Sequence, residues 1–497
     1  MRLLILALAA AAALLGAGPA WATWRKAETA NFILYSQSSE AKVREQAALL
    51  EDYHGFLRTL TGITDPPAPN KLRVYLVRGR GQLRQVRDVG SGVAGFYTAS
   101  PSGIAAFVDD RSGGWIGDDQ ILFHEIAHHF MLQYRPSAYP AWFVEGFAEY
   151  VMTARFKDNV IEFGHPNENR IGWLRNARWL PFEKVLFEGV PKGQESALFY
   201  GQSWLLTHYL MRDDDRIEKF RTYLRAITAG TPPRQAFAEQ FGELRGFERA
   251  IQTYGARQMT FTRLTRASAA AAPQVKVETL PPAADDLLLM DANLYVGVGD
   301  RYVPELLERV RTEAAKHPGD AYAQRVLAKA EALYGDAEKG EKAIDALIAA
   351  QPNDAELLYV KGMRYLRAGR ADAASRAVRF RQARPWFVRA HKLDKHHFPT
   401  LAAYAESLTT DRQFNSENTL EIVLLARELA PQVLELNMNA ANLLLLRGHF
   451  AEAEAVLRPI ASNPHNAGLA AAAQAMIERA RAKQGPTSAA PVKPAGE

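Results

Sequence analysis

Two histidines four residues apart, His124 and His128, stand in the run Phe123-His124-Glu125-Ile126-Ala127-His128-His129. On a helix, residues four apart share a face, so the two imidazoles can close on one metal ion. Glu125 lies beside them, where a carboxylate can take a proton from a metal-activated water. Such an ion needs a third ligand. The segment Trp142-Phe143-Val144-Glu145-Gly146-Phe147-Ala148-Glu149-Tyr150 offers Glu145, a carboxylate among large apolar residues. Burying it is costly unless something positive pairs with it, and a zinc ion supplies that charge. The plainer alternative is two core histidines and a surface glutamate, because His-Glu-x-x-His alone recurs in unrelated helices. The chain contains no cysteine, so disulfides and thiolate metal sites are excluded and any zinc is held by nitrogen and oxygen.

Together the two segments resemble the gluzincin metallopeptidases, which include thermolysin and the aminopeptidase-N-like enzymes. The resemblance runs through His124-Glu125-x-x-His128 and Trp142-x-x-Glu145-Gly146-x-Ala148-x-Tyr150, with 16 residues between His128 and Glu145. It implies zinc held by His124, His128 and Glu145, with Glu125 as general base. Glu149 matches the position whose carboxylate orients a ligand histidine from behind. Tyr200, in Leu198-Phe199-Tyr200-Gly201-Gln202-Ser203-Trp204, matches a tyrosine that stabilises the oxyanion, a role in which one donor contributes about 3 kcal/mol. A core tyrosine is the bland reading there. His208 on the same helix is a weaker candidate for that role and reads more simply as a surface histidine. His129 points about a quarter-turn off the ligand face and is left out. No Gly-x-Met-Glu-Asn stretch precedes the metal helix, which favours endopeptidase over exopeptidase chemistry.

These residues need elements to hold them. Gly117-Asp118-Asp119 opens the metal helix with acids in its first turn, and Pro136 stops it. Before it, Asn31–Tyr35 and Leu72–Val77 read as strands, and 40–60 as a helix with Val43, Ala47, Leu50, Tyr53 and Leu57 on one face. Segments 93–96 and 103–108 read as a hairpin turning at Ser100-Pro101-Ser102-Gly103, with 103–108 the candidate sheet edge to which an extended peptide adds. From Arg216 to Tyr254 the pattern is helical and amphipathic.

The 497 residues allow two or three domains, and a net charge of +5 makes no demand for nucleic acid. Residues 1–22 read as a signal peptide, with Arg2, an apolar core over Leu3–Leu15 and Ala20-Trp21-Ala22, implying a secreted, periplasmic protein with no stable membrane span. An uncleaved anchor is the alternative. The expected fold is an α+β zincin-like metallopeptidase domain over 23–266, an Ala/Pro-rich linker over 267–286, and an all-α solenoid over 287–483. A disordered tail follows over 484–497.

In the solenoid, Pro318-Gly-Asp320 and Pro352-Asn-Asp354 are 34 residues apart, and Pro431 and Pro464 are 33 apart. Within the pairs lie Tyr334-Gly335-Asp336, Ala368-Gly369-Arg370 and Arg447-Gly448-His449. This period resembles tetratricopeptide repeats, in which stacked helix pairs bury faces none can bury alone. The stretch 370–400 breaks the period. Between Arg376 and Lys395 it carries seven Lys or Arg and one acid, with Trp386 and Phe387. Such a patch suits an acidic peptide or anionic polymer; a solvated helix face is the simpler reading.

The resulting expectation is a zinc peptidase using zinc-activated water on a peptide or protein substrate, with the repeats recruiting substrate or a protein partner. The alternatives are a repeat scaffold with a non-catalytic peptide-binding domain and a zinc amidase acting on cell-wall peptide.

Overall fold

In the computed structural model, residues 23–90, 93–110, 118–257, 259–266, 273–412, 414–464 and 466–484 are described. The expected signal peptide and the tail beyond 484 lie outside them. The N-terminal strands are β1 (Arg25–Glu28), β2 (Phe32–Ser36), β3 (Leu72–Val77), β4 (Gly95–Ser100) and β5 (Gly103–Asp109). With β9 (Lys276–Thr279) they form one mixed sheet in the order β4-β5-β3-β2-β1-β9. Its centre, β2-β3-β5, is parallel, and the outer pairs are antiparallel.

Alternation along the strands sends successive side chains to opposite faces. Leu34, Val74, Leu76, Ile104 and Val108 face α1 (Glu40–Thr61) and the metal helix α3 (Asp118–Tyr134), whereas α2 (Arg80–Val86) packs Leu83 on the opposite face. Tyr35, Tyr75, Val77, Ala105 and Phe107 face the other way. On that back face the rings of Tyr35, Tyr75, Phe107 and Phe96 stack across four strands, with centroids 4.6, 4.8 and 5.0 Å apart.

The hairpin is present, but the expected edge is not. β5 lies between β4 and β3, and all seven of its residues are buried. The edge on this side of the sheet belongs to β4, whose residues are all half-buried, and β9 forms the other.

After α3 come α4 (Ala141–Val151), β6 (Arg155–Lys157), β7 (Val160–Phe163), α5 (Glu168–Asn176), α6 (Phe182–Phe187) and α7 (Glu195–Leu210). Helices α8 (Asp214–Ala229), α9 (Pro233–Phe241) and α10 (Leu244–Gly255) occupy the region expected to be helical. β8 (Thr262–Thr265) then joins β6 and β7 in a small antiparallel sheet that the sequence pattern did not suggest.

The stretch expected to be a linker supplies β9, which pairs with β1 from Arg25↔Thr279 to Glu28↔Lys276. Next comes α11 (Ala284–Val296). It sets Leu288, Leu289, Ala292 and Val296 against the aromatic back face of the sheet. The boundary at 286 therefore cuts through a shared core.

From α11 onward the chain is a helical, solenoid-like array. Its helices are α12 (Val303–Ala315), α13 (Ala321–Tyr334), α14 (Ala337–Ala350), α15 (Ala355–Ala371), α16 (Arg376–Leu393) and α17 (Phe398–Ser407), then α18 (Glu417–Leu429), α19 (Leu434–Leu446), α20 (Phe450–Ala461) and α21 (Ala467–Gln484). The punctuating aspartates cap helices, Asp320 accepting from Tyr322 and Ala323 N–H, and Asp336 from Glu338 and Lys339 N–H. The stretch that breaks the period is not structurally degenerate. α15 and α16 form a long, tight pair, and a Cβ at Gly362 would lie 2.4 Å from the Phe387 ring. The array also returns to the N-terminal core, where Phe398, Leu401, Leu429 and Val433 are buried. Among the described residues no helix is long and apolar enough to cross a membrane.

Candidate metal centre

The metal helix is fixed from two sides. The Tyr53 ring of α1 stacks on Phe123 at 4.0 Å, and its hydroxyl donates to the Phe123 carbonyl. From the sheet edge, the Tyr97 hydroxyl hydrogen-bonds His129 Nδ1 at 3.0 Å. His129 is thereby committed to β4, away from the ligand face.

α4 is buried along nearly its whole length, with Glu145 fully buried and Glu149 1 % exposed. It packs on α7 so closely that a Cβ at Gly146 would fall 2.3 Å from the Ser203 carbonyl oxygen and Thr207 Oγ1. The glycine after Glu145 thus lets the two helices approach and places the carboxylate.

His124, His128 and Glu145 converge, with one donor atom from each within 4.8 Å of the others. Nε2 of His124 and Nε2 of His128 are 3.0 Å apart, and they lie 3.5 and 3.6 Å from Glu145 Oε2. A tetrahedral zinc with bonds of about 2.0–2.1 Å needs donors roughly 3.3–3.4 Å apart. The triangle fits, and two imidazoles with one carboxylate form a donor set suited to zinc. Burial works against charge on His124, but the hydrogen bond to Glu145 and the charges of Glu149, Glu145 and Glu125 outweigh it. They hold the imidazole up, at about 9. The cluster favours a cation.

Glu149 Oε1 lies 3.7 Å from His124 Nδ1, beyond hydrogen-bond length. Its main partner is Arg170 of α5, which grips it through Nε at 3.0 Å and Nη2 at 2.6 Å. The Arg170 guanidinium in turn lies over the Tyr200 ring, 5.0 Å from its centroid. Tyr200 sits near the cluster, its ring 6.4 Å from that of His124. Burial, then the charges of Glu145 and Glu149, push its hydroxyl well up, so it stays a phenol and a donor. Glu125 is half-buried beside the ligands.

His208 is not a surface residue. It is fully buried, with Nδ1 2.7 Å from the Tyr254 hydroxyl and Nε2 2.8 Å from the Thr260 carbonyl oxygen. Those partners tie α7 to α10 and to the chain just beyond it, and leave His208 out of the centre.

Sequence reasoning missed Arg170. It comes from a separate short helix 21 residues beyond Glu149, and no local spacing marks it. A buried carboxylate beyond the ligand set was the one available signal that a cation must exist.

No protein-family model matches the chain, and no curated protein matches it. Among solved structures, the crystal structure of a thermophilic TPR protein from Thermus thermophilus is similar at 17% identity, covering 39% of this chain and 99% of that chain, with a TM-score of 0.33. The solenoid-like character of the C-terminal half rests on its own helices and caps.

Proposed function

We propose that the chain is a zinc-dependent hydrolase of peptide bonds whose helical array binds a protein substrate or partner. The observation that carries this reading is the convergence of His124, His128 and Glu145 with Glu125 adjacent in sequence to a ligand. A zinc ion held by these three residues would supply a Lewis acid and make water acidic near neutral pH. Glu125 takes the proton from the attacking water as oxygen adds to the carbonyl carbon. It then delivers that proton to the leaving amine as the C–N bond breaks. The Tyr200 hydroxyl donates to the developing oxyanion, and Glu149, fixed by Arg170, acts on His124 through its charge rather than through a hydrogen bond. The same chemistry serves an amide in cell-wall peptide.

A second reading, a helical-repeat scaffold with a non-catalytic N-terminal domain, is favoured by where the open space lies. A cavity of about 1070 Å³ is formed by the helical array with the back of the sheet, and no candidate metal ligand lines it. Protein binding by the array belongs to both readings.

Elemental mass spectrometry of the purified chain, beside a Glu145→Ala variant, comes first. The hydrolase reading expects about one zinc per wild-type chain and much less in the variant. With zinc present, Glu125→Gln should retain the metal and lose turnover by orders of magnitude. A chain that takes up no zinc even on incubation leaves the scaffold.

A further inference from the structure

Helix α16 has two sides of different chemistry. Phe380, Ala383, Phe387 and Ala390 are buried against its neighbours in the array. Trp386 is half-buried, with Lys361 Nζ 5.5 Å and the Arg389 guanidinium 4.9 Å from its rings. The aromatic residues of this basic stretch therefore serve the packing of the array. With 3.6 residues per turn, Val378, Arg381, Pro385, Val388 and Lys392 form a stripe on the opposite side, flanked by Arg389 and Leu393, and all of these are exposed. Lys395 follows directly after the helix and is exposed as well.

The cations of this side have no counterions. Among the described residues no carboxylate forms an ion pair with Arg381, Arg389, Lys392 or Lys395, and α16 itself contains no acid. The acids around it are engaged elsewhere. Asp411 holds Arg384 at 3.0 Å, Glu341 and Asp345 hold Lys361 at 2.7 and 2.9 Å, and Asp372 has Arg379 on the flank as its neighbouring charge. Asp394, just past the helix, accepts from the His396 N–H at 2.9 Å. Among the free cations stand Val378, Val388 and Leu393, 49, 40 and 46% exposed. A single exposed aliphatic side chain is ordinary. Three of them interleaved with four unpaired cations, along about 22 Å of helix, make a surface with two demands. An acidic peptide or polymer meets the charges and leaves the aliphatic tips in water. A layer of anionic lipid meets both, its phosphates taking the cations and its headgroup–acyl boundary taking the apolar tips. The long stems of Arg and Lys let their charges stay at phosphate level while the aliphatic residues go deeper.

We propose that the exposed side of α16 docks the molecule flat on an anionic lipid surface, with Arg381, Arg389, Lys392 and Lys395 on lipid phosphates and Val378, Val388 and Leu393 in the boundary beneath. The contact is peripheral and is made by a helix already folded into the array. It does not rest on zinc at the metal centre, so either can fail without the other.

The test is co-sedimentation of the full chain with vesicles of phosphatidylglycerol and phosphatidylcholine in equal parts, beside vesicles of phosphatidylcholine alone. The quantity read is the excess of binding to the anionic vesicles, which cancels a charge-independent contribution from the apolar run Leu3–Leu15. That excess should be clear at low salt and fall steeply towards about 0.5 M NaCl. Combining Arg381→Gln, Arg389→Gln and Lys392→Gln should weaken it at least tenfold. Combining Val388→Ser and Leu393→Ser should weaken it at least threefold and leave binding to polyglutamate unchanged. Both variants alter exposed side chains, and matching thermal melts confirm that each is folded. Hydrogen-exchange protection on the anionic vesicles should fall over 378–395. No excess for anionic vesicles, an unchanged excess in the charge variant, or protection confined to another surface overturns the proposal. Loss in the charge variant with none in the aliphatic variant also overturns it, and identifies the stripe as a site for an acidic polymer.

Discussion

Gly146 and Arg170 control the metal centre without being candidate ligands. A methyl group at Gly146 meets the Ser203 carbonyl oxygen of α7 at 2.3 Å, a backbone atom that cannot swing aside. Overpacking of this kind costs about 1–3 kcal/mol, so Gly146→Ala should lower Tm by several degrees and weaken zinc retention together. An unchanged melting curve would mean that α4 and α7 slide apart freely. Removing the charge of Arg170 leaves Glu149 buried and uncompensated, which costs about 3–5 kcal/mol. Arg170→Leu should therefore be strongly destabilised, and adding Glu149→Gln should restore part of the loss. If the double variant unfolds as readily as the single one, the pair is not the source. At this scale the sequence pointed to residues that the fold brings together where a helix carries the pattern, as with His124 and His128 on α3 and Glu145 on α4. It was silent for Arg170, which reaches the site through folding alone.

Elements carry a pH dependence of their own. His54 of α1 bonds the Tyr134 hydroxyl of α3 at 3.2 Å, His208 ties α7 to the Thr260 carbonyl, and His397 precedes α17 against Thr400. Burial lowers all three imidazoles from 6.5 to about 4. A depressed pKa means that the fold holds them neutral. Their contribution is complete above pH 6.5 and is lost as pH falls towards 4, with about 3 kcal/mol for each as an upper bound. The urea midpoint should drop steeply across that window, and His54→Phe should make the drop shallower. An identical pH slope in that variant would remove His54 from the account. The elements also show why the edge strand was misplaced. The run Gly103–Asp109 is continuously apolar to its last residue, as suits a strand covered on both faces, whereas 95–100 mixes polar and aromatic residues as an edge does. Hairpin turn chemistry was legible, but the order of the two strands in the sheet was not.

The whole molecule is less divisible than its composition suggests. A four-residue strand, Lys-Val-Glu-Thr, is too short and too polar to stand out beside an Ala/Pro-rich stretch, so β9 was hidden. Most of α11 falls within the region expected to be helical, but nothing local says that it covers Tyr35, Tyr75 and Phe107 rather than another repeat. Ending the chain after Asp286 should therefore expose that ring stack and give an aggregating fragment without a cooperative melt. A soluble fragment with a sharp transition would restore the original boundary.

Closure extends to the far end of the array. Asn70 bonds the carbonyl oxygens of His396 and Leu429, and Arg458 of α20 donates to the Thr228 carbonyl of α8. An open repeat protein can gain or lose a unit at its end, because each unit touches only its neighbours. This array is fastened to the same N-terminal body at both ends, so duplicating one helix pair would pull α18–α20 off their seats. The number of repeats is thus a fixed dimension of the molecule, and lineages carrying this architecture should vary in loop length far more readily than in repeat count.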